Sequence, residues 1–183
     1  HYRAVTYLMI TKGINPDAPE AVVRCLKEIP FETKIMDQRA LVYLNSNHPK
    51  ESDLRSQKVN DQVSRFAAMS GVRKLLLTYQ RNIASIARKQ NFDGLIMEGR
   101  DIGSIIFPHA DYKFFLIADL NTRIERRALE GHEDSIEQRD RLDSIRHTAP
   151  LTCPQGAVKI NTSRLTLDAV IEKISSIIES RNI

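Results

Sequence analysis

Gly94-Leu95-Ile96-Met97-Glu98-Gly99-Arg100-Asp101-Ile102-Gly103-Ser104-Ile105-Ile106-Phe107-Pro108 is the stretch that decides how this chain is read. A short apolar run stops at an acidic residue, a glycine, an arginine and an aspartate, and a second glycine follows. Short, nearly continuous apolar runs are what strands buried on both faces of a parallel sheet look like. The ends of such strands are where ligands bind in open α/β sheets. The segment therefore predicts a strand over 94–97 that delivers one fixed cation and two carboxylates to a sheet edge.

Two further apolar runs, Tyr112 to Ala118 and the weaker Ala157 to Ile160, predict partner strands. Helical periodicity separates them, over Asn121–Leu129, Asp134–Arg146 and Leu165–Ser180. The alternation is an α/β pattern with parallel pairing. Upstream, Tyr2 to Lys12 has helical spacing and ends at Gly13, and Asp17-Ala18-Pro19-Glu20 is a helix start. Thr33 to Asn45 alternates as a hairpin does, and His48 to Ser52 is a turn. Asp53 to Ala68 repeats Val59, Val63 and Phe66 at helical spacing, and Gly71 separates this helix from a long one over Val72–Lys89. No repeat or linker divides the chain, which is expected to be one domain over 1–183. Residues 17–68 are a mostly helical insertion suited to covering a substrate.

Composition narrows the partners. A chain of 183 residues, 42% hydrophobic and 27% charged, has the profile of a soluble globular domain. No apolar run approaches the roughly 20 residues of a membrane span, and no signal peptide is expected. Two cysteines, Cys25 and Cys153, are too few for a disulfide framework and suit a reducing cytoplasm. The net charge of +4 is dispersed, with no Lys/Arg run longer than a pair such as Arg126-Arg127. Arg outnumbers Lys seventeen to ten, and the guanidinium fork matches phosphate oxygens. These features favour a pocket for small phosphorylated ligands over a nucleic-acid surface.

In Arg139-Asp140-Arg141-Leu142-Asp143-Ser144-Ile145-Arg146, the residues Arg139, Asp143 and Arg146 fall on one helix face. Two cations flanking a carboxylate can hold a phosphate and a sugar hydroxyl together. The same spacing is also ordinary for a solvated face with weak ion pairs. Ser64 is open to reading as a surface hydroxyl, and Arg73 as a snorkelling side chain. Glu98 suits either a magnesium-bound water or a cap on the following turn. No metal-ligand pattern joins His109, His132 and His147.

Taken in order, Tyr2-Arg3-Ala4, Gln57-Lys58-Val59 through Ser64, Val72-Arg73, Gly94 through Pro108, Arg126-Arg127, Arg139-Asp140, Asp143, Arg146, Ala149-Pro150-Leu151 and Asn161-Thr162-Ser163 resemble the bacterial cytidylate kinases, from Tyr2 to about Ile178. The resemblance implies a P-loop nucleoside monophosphate kinase fold: three layers, α/β/α, around a parallel central sheet, with a small nucleotide-binding insertion (about 17–68) and a short lid (about 121–146). It implies transfer of the γ-phosphoryl group of ATP to CMP or dCMP with Mg2+, by a monomer. Arg100, Arg139 and Arg146 would then be the catalytic residues. Tyr2, Arg3, Ser64, Arg73, Arg100, Asp101, Asp143 and Arg146 would bind the acceptor nucleotide. Within that set Arg3 and Arg100 take the phosphate, Ser64, Arg73 and Asp101 the cytosine, and Asp143 the ribose with Arg139 nearby. Arg126 and Arg127 would reach the donor from the lid.

Two features depart from the family. No Gly-x-x-x-x-Gly-Lys-Ser/Thr loop occurs in the sequence, and the stretch between Arg127 and Arg139 is short. Deleting a central strand would leave its neighbours roughly 10 Å apart with unpaired ladders, so the strand and loop are expected to exist in the polypeptide. The alternative is a non-catalytic CMP-binding protein that has lost the ATP-phosphate loop.

Overall fold

Helix α1 (Tyr2–Thr11) places Val5 and Met9 one turn apart, and both are fully buried. They meet Val22 and Leu26 of α2 (Pro19–Glu28), Phe66 of α4 (Gln57–Ala68), and Val72 and Leu76 of α5 (Ser70–Lys89) in one hydrophobic cluster. The computed structural model describes residues 1–129, 131, 136–145 and 149–180, with only the backbone of 137–139. Helices α1, α2 and α5 each contribute two residues spaced four apart, the stripe that amphipathic helices bury, and α4 adds Phe66. Helix α2 begins as its sequence announces, with Pro19 in the first turn beside Glu20.

Strands β1 (Phe31–Met36) and β2 (Arg39–Leu44) form the expected hairpin, with Met36 opposite Arg39. The two-residue loop between them has Asp37 at φ 48° and Gln38 at φ 61°. Positive φ at both positions is the requirement of the tight hairpin turn whose twist matches the strands. Tyr79 of α5 anchors the hairpin from below. Its hydroxyl lies 2.8 Å from Thr33 Oγ1, and its ring packs on Phe31.

The remaining elements are α3 (Glu51–Leu54), β3 (Phe114–Ile117), α6 (Leu120–Leu129), α7 (Ile136–Ile145), β4 (Val158–Asn161) and α8 (Leu167–Glu179). Strand β3 runs parallel to β4, Phe114 opposite Val158. Helix α8 is capped by Thr166, whose side chain accepts from the Ala169 N–H at 3.2 Å, and carries Asp168 in its first turn.

Several expectations need correction. The stretch 94–97 is not a strand: it pairs with nothing among the described residues, and Ile96 is 98% exposed. Extended backbone becomes a strand only when a neighbour completes its ladder. Nor is β3 buried on both faces, since Leu116 and Ile117 are exposed. The fold is thus mixed α/β with a small parallel pair, and the described residues do not assemble a central sheet. The helix expected over 53–68 is two helices, broken where Ser56 turns to ψ 152°. Gly71 separates nothing and sits in the first turn of α5. A Cβ there would stand 2.5 Å from Val23 Cγ2, so glycine lets α5 approach α2. After Asp101 the chain makes an unforeseen π-helical turn, Ile102–Ile106, in which Phe107 N–H donates to the Ile102 carbonyl at 2.7 Å.

Gly71→Ala should destabilise the protein by about 1–3 kcal/mol through overpacking. In a Val23→Ala background the same change should be neutral or stabilising, since alanine outranks glycine in a helix. Paired denaturation curves check both. A second expectation concerns pH. Burial pushes the Tyr79 phenol above its ordinary pKa, with the Thr33 hydrogen bond pulling slightly the other way. The unfolded chain therefore ionises first, so this contribution is complete below about pH 10 and is lost as pH rises toward the folded value. Tyr79→Phe should lose less stability than the parent between about pH 9 and about pH 11.

Candidate functional site

A single cavity of about 390 Å³ opens where α1, α4, α5, α7 and the Glu98–Ile102 turn converge. Its wall includes Tyr2, Arg3, Ser64, Arg100, Asp101 and Asp143. Six of the residues singled out from the sequence are thereby brought together from four separate segments.

The turn after residue 97 folds so that Asp101 points inward. Its carboxylate is paired with the Arg73 guanidinium, and both side chains are buried. Arg73 also donates to the Ala67 carbonyl at 3.0 Å, and its guanidinium stands 5.3 Å over the Tyr2 ring, within cation–π range. The π-helical turn fixes Asp101 from behind, because the Asp101 carbonyl accepts from both Ile105 and Ile106 N–H groups. Arg73 is thus no snorkelling surface residue. It is the counter-ion of an aspartate that is only 3% exposed.

Arg100 projects the other way and remains 38% exposed. It faces two carboxylates of α7, Asp140 at 3.3 Å and Asp143 at 3.4 Å. Asp143 is itself buried and accepts a long hydrogen bond from Ser64 Oγ at 3.4 Å. Asp140 is shared with Arg123 of α6. A chain of alternating charge therefore runs Arg123, Asp140, Arg100, Asp143 and ends at the Ser64 hydroxyl.

Arg3 enters from α1. Its Nη1 donates to the Leu54 carbonyl at 2.8 Å and to Asn60 Oδ1 at 2.6 Å. With Arg100 it gives the cavity two guanidinium groups, the side chain best matched to phosphate oxygens.

Not every expected residue joins this site. The Arg126 guanidinium is directed onto β4 and its exit, donating to the Thr162 carbonyl at 2.7 Å and the Leu165 carbonyl at 3.3 Å. Arg127 lies next to it on α6, half-buried. The Arg139 side chain and all of Arg146 lie outside the described residues. Glu98, left open between two roles above, lies on the cavity wall. Among the described residues no group of three or more His, Cys, Asp or Glu is placed to hold a metal.

Two polar residues that sequence reasoning passed over also belong here. Asn60 is 6% exposed, and Gln80, which lines the cavity, is 3% exposed. A signal for Gln80 existed: it lies seven residues after Arg73, two turns along the same face of α5. Asn60 had none, because a polar residue next to Val59 is as common on a solvated helix edge.

Removing one partner of a buried ion pair leaves an uncompensated charge, at a cost of about 3–5 kcal/mol. Asp101→Asn and Arg73→Met should each lower unfolding stability on that scale, measurable by chemical denaturation. Asp101→Ala should harm both ligand use and folding, since it also leaves Arg73 without its buried partner.

The chain as a whole resembles known proteins. The family profile for cytidylate kinase matches residues 1–180. The chain is 33% identical to a cytidylate kinase of Streptomyces griseus, over its whole length and 80% of that protein. It is 35% identical to a cytidylate kinase of Limosilactobacillus reuteri, over 97% of the chain and 80% of that protein. It also matches a bifunctional pantoate ligase/cytidylate kinase of a Synechococcus strain at 35% identity, spanning 98% of the chain and 38% of that longer protein. With nearly every residue covered by the profile, the chain belongs to the cytidylate kinase family.

Proposed function

We propose that the cavity between α1, α4 and the Glu98–Asp101 turn is the acceptor site of a nucleotide kinase that phosphorylates CMP or dCMP. The observation that carries this reading is that one cavity is lined by two guanidinium groups, Arg3 and Arg100, and by a buried carboxylate, Asp101, already fixed by Arg73. Cations suit a phosphate, and a fixed carboxylate suits an exocyclic amine.

Cytosine presents an amine donor beside a ring nitrogen and a carbonyl that both accept. Asp101 takes the amine, while Arg73 and Ser64 supply donors to the two acceptors. Uracil carries a carbonyl and a ring N–H at the same edge, which would set oxygen against the Asp101 carboxylate and strand its partners. Asp143 accepts from the ribose hydroxyls, and the Tyr2 ring stacks behind Arg73. The acceptor phosphate draws Arg100 away from Asp140 and Asp143, since a phosphate dianion competes for the same fork.

In the reaction an oxygen of the CMP phosphate bonds to the γ-phosphorus of ATP, the bond to the β,γ-bridging oxygen breaks, and ADP leaves. Such transfer asks the protein chiefly for alignment and for positive charge around the moving group. Arg100 supplies it from the acceptor side. The resemblance to the family assigns Arg146 to the transferring phosphate, Arg139 to the ribose, and Arg126 and Arg127 to the donor. For Arg126 that role requires exchanging its bonds to Thr162 and Leu165 for bonds to nucleotide.

The family implies ATP as donor and usually Mg2+, which neutralises charge on the transferring phosphates when bound. Mg2+ characteristically keeps several waters and takes one or two carboxylates plus substrate phosphates. The described residues offer it no cage of their own. Free thiols at Cys25 and Cys153 support a reducing, cytoplasmic setting, and the resemblance to the family supports a monomer. No helix among the described residues is long and apolar enough to cross a membrane. The insertion over 17–68 supplies α4 with Ser64, and the lid over 121–146 supplies Asp140 and Asp143. A non-catalytic CMP-binding role is not favoured by the family match or by relatives named as kinases.

A coupled assay of ADP release with CMP, dCMP and UMP tests the reading. UMP should be used at least about 100-fold less efficiently, as sites built to pair a polar edge discriminate strongly. Ser64→Ala should raise KM for CMP about tenfold, the scale of one hydrogen bond to a buried partner. Equal use of CMP and UMP would overturn the base assignments.

A further inference from the structure

Asn60 has no assigned part in the site, yet it is the buried side chain that holds Arg3. Its position is over-determined. Nδ2 donates to the Arg55 carbonyl at 3.1 Å, at the break between α3 and α4. That bond settles which end of the amide is which, so Oδ1 must face Arg3, where it accepts from Nη1 at 2.6 Å. The Leu54 carbonyl accepts from the same Nη1 at 2.8 Å. Two acceptors from one short segment therefore clamp one corner of the guanidinium, while Arg3 also lines the cavity.

We propose that Asn60 is a positioning residue for the acceptor phosphate, acting through Arg3 rather than by touching the ligand. The inference rests on the reading of Arg3 as a phosphate ligand. Its chemistry is specific. A neutral amide orients the guanidinium without setting a negative charge beside it. A carboxylate at the same place would hold Arg3 as firmly and compete with the phosphate for its charge. The break at Ser56, which interrupts an otherwise continuous helix, also has a role here: it presents the Leu54 and Arg55 carbonyls to Arg3 and Asn60.

The test is calorimetric binding of CMP and of cytidine, which differ only in the phosphate, to the parent protein, Asn60→Ala, Asn60→Asp, Arg3→Ala and the Arg3→Ala/Asn60→Ala double variant. Asn60→Ala should weaken CMP about tenfold, as expected for loss of a hydrogen bond to a charged group. Cytidine binding should be unchanged. In the Arg3→Ala background, Asn60→Ala should have no further effect on CMP. Asn60→Asp preserves the side-chain volume and should weaken CMP alone, which keeps the test decisive if the alanine variant does not fold. Equal weakening of CMP and cytidine, an undiminished effect of Asn60→Ala without Arg3, or full CMP affinity in Asn60→Asp would each overturn the proposal. An unaltered CMP-to-cytidine ratio in Arg3→Ala alone would instead overturn the reading of Arg3 beneath it.

Discussion

An arginine and an aspartate cannot both be withdrawn from water unless each satisfies the other, and the site is organised around one such pair. Arg73 lies between Val72 and Leu76 of α5, both buried in the main cluster, so its backbone is held by the core. Asp101 ends an extended segment that has no partner strand among the described residues. Their ion pair is therefore the link by which a rigid helix positions an otherwise weakly held turn. The π-helical turn completes the hold by closing two backbone bonds onto the Asp101 carbonyl. A buried pair of this kind is weak as a source of stability and strong as a constraint on geometry, because losing either member is costly.

The neighbouring residue has the opposite physics. Arg100 is one position along and faces away, half in solvent, between Asp140 and Asp143. Its guanidinium is 38% exposed and stands 3.3–3.4 Å from both carboxylates, a looser hold than the doubly buried Arg73 pair. The same turn thus offers one charge that is locked and one that is available, which is the division a kinase acceptor site needs. The base-reading edge must be preorganised so that mismatched hydrogen-bonding patterns are rejected. The phosphate-binding cation must be able to exchange its carboxylate partners for the incoming acceptor phosphate.

Much of this was legible in the residues. The stripes of α1 and α5, the Pro19 start of α2 and the hairpin, expected over 33–45 and found over 31–44, follow from periodicity and local chemistry, whereas α8 forms its helix but leaves Leu167 and Ile171 of its apolar stripe exposed. Arg3, Ser64, Arg100, Asp101 and Asp143, proposed for the acceptor site, were singled out by their order and do share one cavity. What was not legible depends on contacts made elsewhere in the chain. An apolar run such as 94–97 states a willingness to be a strand, whereas the ladder depends on a neighbour. Gly71 reads as a breaker until Val23 is seen against it. Asn60 and Gln80 look like surface residues because polarity does not announce burial. Arg126 carries the same letters whether it reaches a nucleotide or the Thr162 carbonyl.

The most direct measurement of the central claim is a crystal structure of the protein with CMP bound. The account predicts the cytosine amine within about 2.7–3.2 Å of the Asp101 carboxylate, the Arg73 pair intact, and the phosphate on Arg3 and Arg100. A CMP bound elsewhere, or bound in this cavity with its base turned away from Asp101 and Ser64, would contradict it.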